Sequence, residues 1–257
     1  MTKHMSEVKG PVALKNVAAL MAMTTLLIER DPHLPGIGVC HSPSGYGKTY
    51  ASIFTQNKTR AIRVEVRDSW TRRTFLLAIL HELGSRPSKR QSISDLASLA
   101  IEGLGHDAGR PLIVDEADKL VDKGMIEIVR ELHECSCAPV ILIGEEKLPS
   151  KLLAIERVHN RVLHWFPAQP CDLEDTQVLA QAFAPRVKIT SEMLDFIRQQ
   201  SGGRARRIVT NLAQIAEHAR NRNLKVVDPS VWGDRPLHTG EPPTPRPVEA
   251  FKRQRAA

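Results

Sequence analysis

Residues 40–50 read Cys-His-Ser-Pro-Ser-Gly-Tyr-Gly-Lys-Thr-Tyr, and the segments on either side narrow the folds open to this chain. Before them, residues 37–42 (IGVCHS) form a short apolar run of strand length; after them, residues 49–57 (TYASIFTQN) continue as a helix. A buried strand passing through a glycine-rich turn straight into a helix is the first half of a strand–helix–strand unit. Such units build parallel sheets covered by helices on both faces. The pattern then recurs: RAIRVEV (60–66), PLIVDEAD (111–118), APVILIG (138–144) and the short LHWF (163–166) read as strands. Helical segments separate them, at residues 69–84, 94–105, 125–136 and 145–162, the last with a proline interruption. Ser69 is the expected N-cap of the first of these and Gly84 its C-cap.

An amphipathic helix over residues 12–30 precedes this alternation, stopped by DPHLPG at 31–36. After about residue 167 the strands stop, and residues 173–184, 191–202 and 204–221 are three helical segments. The expected organisation is an α/β core with its N-terminal helix at 1–169, an all-helical lid at 170–228, and a Pro-rich, basic, disordered tail at 229–257.

The turn itself carries chemistry. Its end, Gly47-Lys48-Thr49, matches the phosphate-binding pattern G-x-x-x-x-G-K-[ST], but Ser42 stands where the first glycine belongs. Backbone N–H groups of such a loop wrap phosphates, and the following helix aims its positive end at them. Gly45 and Gly47, the glycines nearest the lysine, let the backbone approach closely. Serine is small enough for the strand exit. Lys48 is expected to reach the β/γ oxygens of a nucleotide, and Thr49 to hold Mg²⁺ through its hydroxyl. The candidate nucleotide contacts are Ser44, Gly45, Tyr46, Gly47, Lys48, Thr49 and Tyr50.

A second motif supports the first. PLIVDEAD ends an apolar strand in Asp115 and Glu116. Asp115 is suited to hold Mg²⁺ through its water shell, and Glu116 to orient and deprotonate an attacking water. Together the two motifs point to ATP or GTP binding and hydrolysis with Mg²⁺.

Composition adds limits. With 257 residues and 42% hydrophobic content the chain can bury a substantial core. Aromatics make up only 4%, too few for broad base-stacking platforms. The net charge of +7 and pI near 9.4 are compatible with a nucleic-acid partner. Cys40, Cys135, Cys137 and Cys171 lack zinc-ribbon spacing and are expected as free thiols in a reducing compartment. No apolar run reaches about 18 residues and the start lacks the layout of a signal peptide, so no membrane association and a cytoplasmic location are expected.

The D-E pair of IVDEAD, the helical segment after the sheet and GGRARRIVTNL (202–212) make the chain resemble the AAA+ ATPases over about residues 10–225. The resemblance implies an AAA+ P-loop parallel sheet with a helical lid, ATP with Mg²⁺, and ATP-dependent oligomers or helical filaments. It implies a sensor-2 arginine at the start of a lid helix, here Arg206, with Arg204 and Arg207 as close rivals. The sensor-1 position falls at Glu145 or Glu146, a departure from the usual Asn, Ser or Thr. The arginine given in trans to a neighbour's ATP corresponds to Arg161, or to Arg157. Asn16 and Val17, on the first helix, are expected near the adenine.

Within AAA+ the chain is most similar to the transposition regulators of the MuB, TnsC and TniB group. That implies an ATP-dependent, sequence-nonspecific binder of double-stranded DNA that forms oligomers or helical filaments and delivers its target to a DDE transposase. The GspA/ExeA secretion ATPases and replication helicase loaders are the alternatives. Only about ten residues precede the first helix, so DNA contacts are expected from core, lid or tail. Arg67, Arg72, Arg73, Lys89 and Arg90 form the leading basic cluster, with Arg86 beside it. Trp70, amid them, reads better as a partly buried side chain than as a DNA wedge. Arg220, Arg222, Lys225, Lys252, Arg253 and Arg255 add charge to the lid and tail.

Overall fold

The computed structural model describes residues 14–241. Five strands form one parallel sheet in the order β2-β3-β4-β1-β5. They are β1 (Ile37–His41), β2 (Ile62–Glu65), β3 (Leu112–Asp115), β4 (Val140–Gly144) and β5 (Val162–Pro167). Three of them are apolar on both faces because both faces are covered. Val39, Leu112, Val114, Val140 and Leu142 point to one side, into a core with Phe75, Leu76, Ile79, Leu96, Val129 and Leu132. That core is built by α3 (Arg72–Glu82), α4 (Ile93–Gly105) and α6 (Ile126–Ser136). Cys40, Ile113, Ile141 and Ile143 point the other way, toward α1 (Lys15–Ile28) and α2 (Lys48–Thr59). Gly38 lets α1 lie directly on β1, since a Cβ there would stand 2.7 Å from Leu27 Cδ1.

The lid continues the second core. Leu179 of α9 (Leu173–Phe183), Met193 and Ile197 of α10 (Ser191–Gln200), and Ile208, Leu212 and Ile215 of α11 (Ala205–Asn221) are all buried there. At the start of α1, the Lys15 amide donates to Asp175 Oδ1 at 2.9 Å, and the Lys15 ammonium pairs with Asp172 and Glu174 of the lid.

Several local expectations shift. Helix α3 starts at Thr71, whose hydroxyl accepts from the Thr74 amide, and not at Ser69. A turn from Arg67 O to the Trp70 amide occupies the intervening residues and packs Trp70 against the core, half-buried as expected. Pro149 does not interrupt a helix; it lies in the first turn of α7 (Leu148–Leu153), where a missing N–H costs nothing. Two short helices, α5 (Asp118–Asp122) and α8 (Glu156–His159), flank that region.

Strands do not end at the sheet. β6 (Lys188–Ile189) and β7 (Val226–Val227) pair in parallel within the lid. The disordered tail expected from residue 229 begins with structure. α12 (Pro229–Trp232) buries Trp232, whose indole N–H donates to Arg235 O at 2.9 Å. Asn211, fully buried on α11, then exchanges two hydrogen bonds with the backbone of His238, at 3.2 and 2.7 Å. The apolar mass of one tryptophan and one buried amide outweigh a polar, proline-rich composition. Lys252, Arg253 and Arg255 lie outside the described residues. No helix among the described residues is long and apolar enough to cross a membrane.

Candidate nucleotide site

The turn between β1 and α2 has the geometry its glycines demand. Gly45 and Gly47 adopt φ of +95° and +83°, which L side chains rarely accept. Gly47 caps α2, whose first turn carries no acidic residue to neutralise its positive end.

Lys48 is seated by the residue that departs from the pattern. Its ammonium donates to Ser42 O at 2.7 Å, Ser42 Oγ at 3.0 Å and Pro43 O at 3.1 Å. Ser42 is buried, and its hydroxyl in turn donates to Pro43 O. The substituted residue thus holds the lysine at the strand exit. Burial pushes the Lys48 pKa down, opposed by the negative groups around it, Glu145, Asp115 and Glu116 among them. Thr49 is exposed, and its hydroxyl makes no hydrogen bond among the described residues. Tyr50 is half-buried against the second core.

At the end of β3, Asp115 is buried. Its Oδ1 accepts from the Glu116 amide at 3.0 Å, and its Oδ2 accepts from Arg63 of β2 at 2.7 Å. Glu116 stands at φ +59°, a left-handed backbone for a non-glycine residue; such strain collects at functional sites. Its partly exposed carboxylate lies 3.4 Å from the Lys119 ammonium. Asp118 completes this edge by accepting from the Glu145 amide at 2.6 Å, which fixes the chain as it leaves β4. Glu145 and Glu146 are both exposed, and only Glu145 is among the charges acting on Lys48.

Asn16 is adjacent to the loop, with its amide spent on backbone. Its Nδ2 donates to Tyr46 O at 3.0 Å and Gln169 O at 2.7 Å, and its Oδ1 accepts from the Gln169 amide at 2.9 Å. It ties α1 to the loop and to the chain after β5. Val17 is buried in the second core.

The lid reaches the loop through Arg204. Its Nη1 donates to Ser44 O at 2.6 Å, and its guanidinium stands 6.0 Å from the centre of the Tyr46 ring. Arg206 approaches only through its backbone, the amide lying 3.4 Å from Gly45 O, and its side chain is exposed. The Arg207 guanidinium packs against Gly240, away from the loop.

Arg161 lies at the opposite edge of the sheet, where its carbonyl accepts from the Ile37 amide at the start of β1. Its guanidinium grips Glu134 Oε1 at 2.6 and 2.7 Å. Arg157 is exposed and makes no ion pair among the described residues. Neither arginine stands near the loop of its own chain.

The basic cluster divides. Arg73 is consumed by structure: it donates to Gln91 O at 2.5 Å and Lys89 O at 2.7 Å, clamping the loop before α4 onto α3. Arg72 donates to Gly124 O at 3.2 Å. Arg67, Lys89 and Arg90 leave exposed side chains.

Sequence reading missed three contributors. Arg63 lies within the strand segment RAIRVEV, where nothing in the sequence marks it for the site. Ser42 reads as a tolerated substitution rather than a ligand of Lys48. Asp118 is visible only as the last acid of PLIVDEAD.

The residues present suit Mg²⁺ with a nucleotide. The donor set is one hydroxyl, Thr49, and one buried carboxylate, Asp115; Mg²⁺ takes few protein ligands and completes its shell with phosphates and water. Accordingly, no cluster of three or more His, Cys, Asp or Glu suited to a metal occurs among the described residues. The metal would supply charge neutralisation on the phosphates.

Residues 30–152 match the family model described as AAA domain. No curated protein matches the chain in sequence. Among solved structures, the Aeropyrum pernix ORC2 protein in ADPNP–ADP complexes is similar, with a TM-score of 0.71 and 14% identity over 88% of this chain and 68% of that one. The Aeropyrum pernix ORC1 protein in complex with DNA gives 0.64 and 15%, over 88% and 66%. The Thermotoga maritima RuvB Holliday junction branch migration motor gives 0.58 and 13%, over 86% and 67%. The chain spans about two thirds of the length of each. At these identities the likeness is one of fold. Residues 30–152 therefore carry an AAA-type domain, on a P-loop parallel sheet followed by a C-terminal helical region of lid type, and this fold supports ATP binding and hydrolysis.

Proposed function

We propose that this ATPase is a switch that assembles on double-stranded DNA without reading its sequence and lets go after hydrolysis. The observation that carries the reading is a shared edge. Arg67 follows β2 just as the phosphate loop follows β1, so in a parallel sheet both leave at the same end. Arg73 pins the Lys89–Arg90 loop to the start of α3 beside them. Exposed cations with no base-reading partner give salt-sensitive, sequence-tolerant phosphate binding, and repetition along an oligomer multiplies a few contacts per subunit. The fold likeness to the Aeropyrum pernix ORC1 protein, solved in complex with DNA, supports the same direction.

In the reaction, Lys48 and the loop amides would hold the β- and γ-phosphates, and Thr49 and Asp115 would hold Mg²⁺, which would neutralise phosphate charge. Glu116 takes the proton of the attacking water. Arg161 of one subunit serves the site of the next, making hydrolysis depend on assembly, and Arg204 or Arg206 reports the γ-phosphate to the lid. The site of action is the cytoplasm.

The client of the assembled state is a DDE transposase, on the resemblance of the sequence, within the AAA+ ATPases, to transposition regulators. A second reading, a replication helicase loader, is supported by the fold likeness to ORC proteins. The test is sedimentation of Glu116→Gln with ATP and random duplex DNA, followed by addition of a purified DDE transposase or a replicative helicase. Stable DNA-bound oligomers that recruit the transposase support the first reading, and recruitment of the helicase alone supports the second. Failure to form oligomers on DNA overturns both.

A further inference from the structure

Arg63 belongs to the metal end of the nucleotide site, and no step described above uses it. Its side chain is only 12% exposed although it stands on β2, next to the strand that carries Asp115. Its Nη2 donates to Asp115 Oδ2 at 2.7 Å and to Glu65 Oε2 at 3.2 Å. Its Nε donates to Ser52 Oγ at 2.8 Å. Ser52 is fully buried, and its hydroxyl donates to Thr49 O at 2.8 Å. A continuous run of hydrogen bonds thus joins Asp115 to Thr49, the two residues given to Mg²⁺.

A guanidinium is a planar, rigid fork that carries a positive charge. It therefore does two things at once. It fixes the rotamer of Asp115, whose other oxygen is held by the Glu116 amide. It also places a permanent positive charge at hydrogen-bond distance from the carboxylate that would attract the metal. A carboxylate has roughly four lone-pair sites, so room for a metal's water shell remains. The electrostatic pull on a free cation is nevertheless reduced by the neighbouring charge.

We propose that Arg63 is a positioning residue that sets the metal demand of the site: it orients Asp115 against Thr49 while preventing Asp115 from holding Mg²⁺ on its own, so that the metal enters with the nucleotide's phosphates. The inference rests on the ATP reading of this site. The chain would then be insensitive to free divalent cations and responsive to Mg·ATP.

The experiment follows binding of a fluorescent ATP analogue to the full chain during Mg²⁺ titration. Arg63→Gln removes the charge and keeps a donor; Arg63→Lys keeps the charge and loses the fork. Arg63→Gln is expected to lower the half-saturating Mg²⁺ concentration about tenfold, the size of a one-unit electrostatic effect. Arg63→Lys is expected to stay within about twofold, since the charge is kept. An unchanged or raised Mg²⁺ requirement in Arg63→Gln overturns the proposal. Analogue binding in EDTA separates the two levels: if the unmodified chain binds no analogue with or without Mg²⁺, the ATP reading itself fails. Because removing one partner of a buried pair can unfold a protein, Mn²⁺ binding to the unmodified chain without nucleotide is a second measure, read by electron paramagnetic resonance. No saturable site below about 1 mM is expected, as hard cations at single-carboxylate sites rely on phosphates. A tight nucleotide-free Mn²⁺ site overturns the proposal.

Discussion

The guanidinium of Arg204 donates to the carbonyl of Ser44 at 2.6 Å, so the lid rests directly on the phosphate loop. A bound γ-phosphate would compete with that carbonyl for the same donor. On the function proposed above, this one side chain would link lid position to nucleotide state. Arg204→Ala is expected to slow ATP hydrolysis at least tenfold more than Arg206→Ala does, a loss of at least one charge-assisted hydrogen bond. Steady-state phosphate release by the two variants decides it. Equal effects, or a larger one at Arg206, would return the sensor role to Arg206.

Ser42 accepts from Lys48 through both its carbonyl and its hydroxyl. The carbonyl survives any substitution. Ser42→Gly, which restores the usual glycine, is therefore expected to change nucleotide affinity by no more than about fivefold, the worth of one hydrogen bond of about 1 kcal/mol. Lys48→Ala is expected to lose binding altogether. Titration with a fluorescent analogue checks both.

Arg161 is held by Glu134 at the sheet edge away from its own loop. If it serves a neighbour, two defects should complement. Lys48→Ala subunits supply a competent arginine and Arg161→Ala subunits supply a competent loop. Each alone is expected to hydrolyse ATP about a thousandfold slower or worse, the usual worth of such an arginine. A mixture should recover part of the rate. A mixture as inactive as its components would remove Arg161 from this role and leave Arg157.

Stability should fall in mild acid through His133. Its Nδ1 stands 2.8 Å from Ala138 O in a buried pocket, and burial pushes its pKa down, with the Arg30 and Arg161 cations acting in the same direction. The unfolded chain binds this proton near the ordinary value of about 6.5, more readily than the folded chain. The contribution is therefore fully present above that pH and is lost as pH falls toward the depressed folded value. The melting temperature of His133→Asn should drop less between pH 7.5 and 5 than that of the unmodified chain. An identical drop would exclude His133 as a source.

The fold was legible because its three central strands are apolar on both faces and because one glycine-rich turn fixes strand, helix and phosphate site together. What escaped was set by tertiary packing. Two-residue strands such as β6 and β7 carry no periodicity, and α12 exists because Trp232 finds a buried place against the lid. Spacing could not choose between Arg204 and Arg206, since the choice depends on which residue begins α11. It could not show that Arg73 is spent on two carbonyls, nor that an arginine on β2 reaches Asp115. Charge counts mark where cations are, while hydrogen bonds decide which remain available.

The most direct test of the account is fluorescence anisotropy of random-sequence duplex DNA with ATP, ADP or no nucleotide, across a salt series. The account predicts cooperative binding with ATP only, weakening steeply with salt, with Lys48→Ala unable to bind in this mode. Replacing Arg67 or Arg90 with alanine should each reduce the salt slope by about one. Binding that is indifferent to nucleotide, or absent under all three conditions, would contradict it.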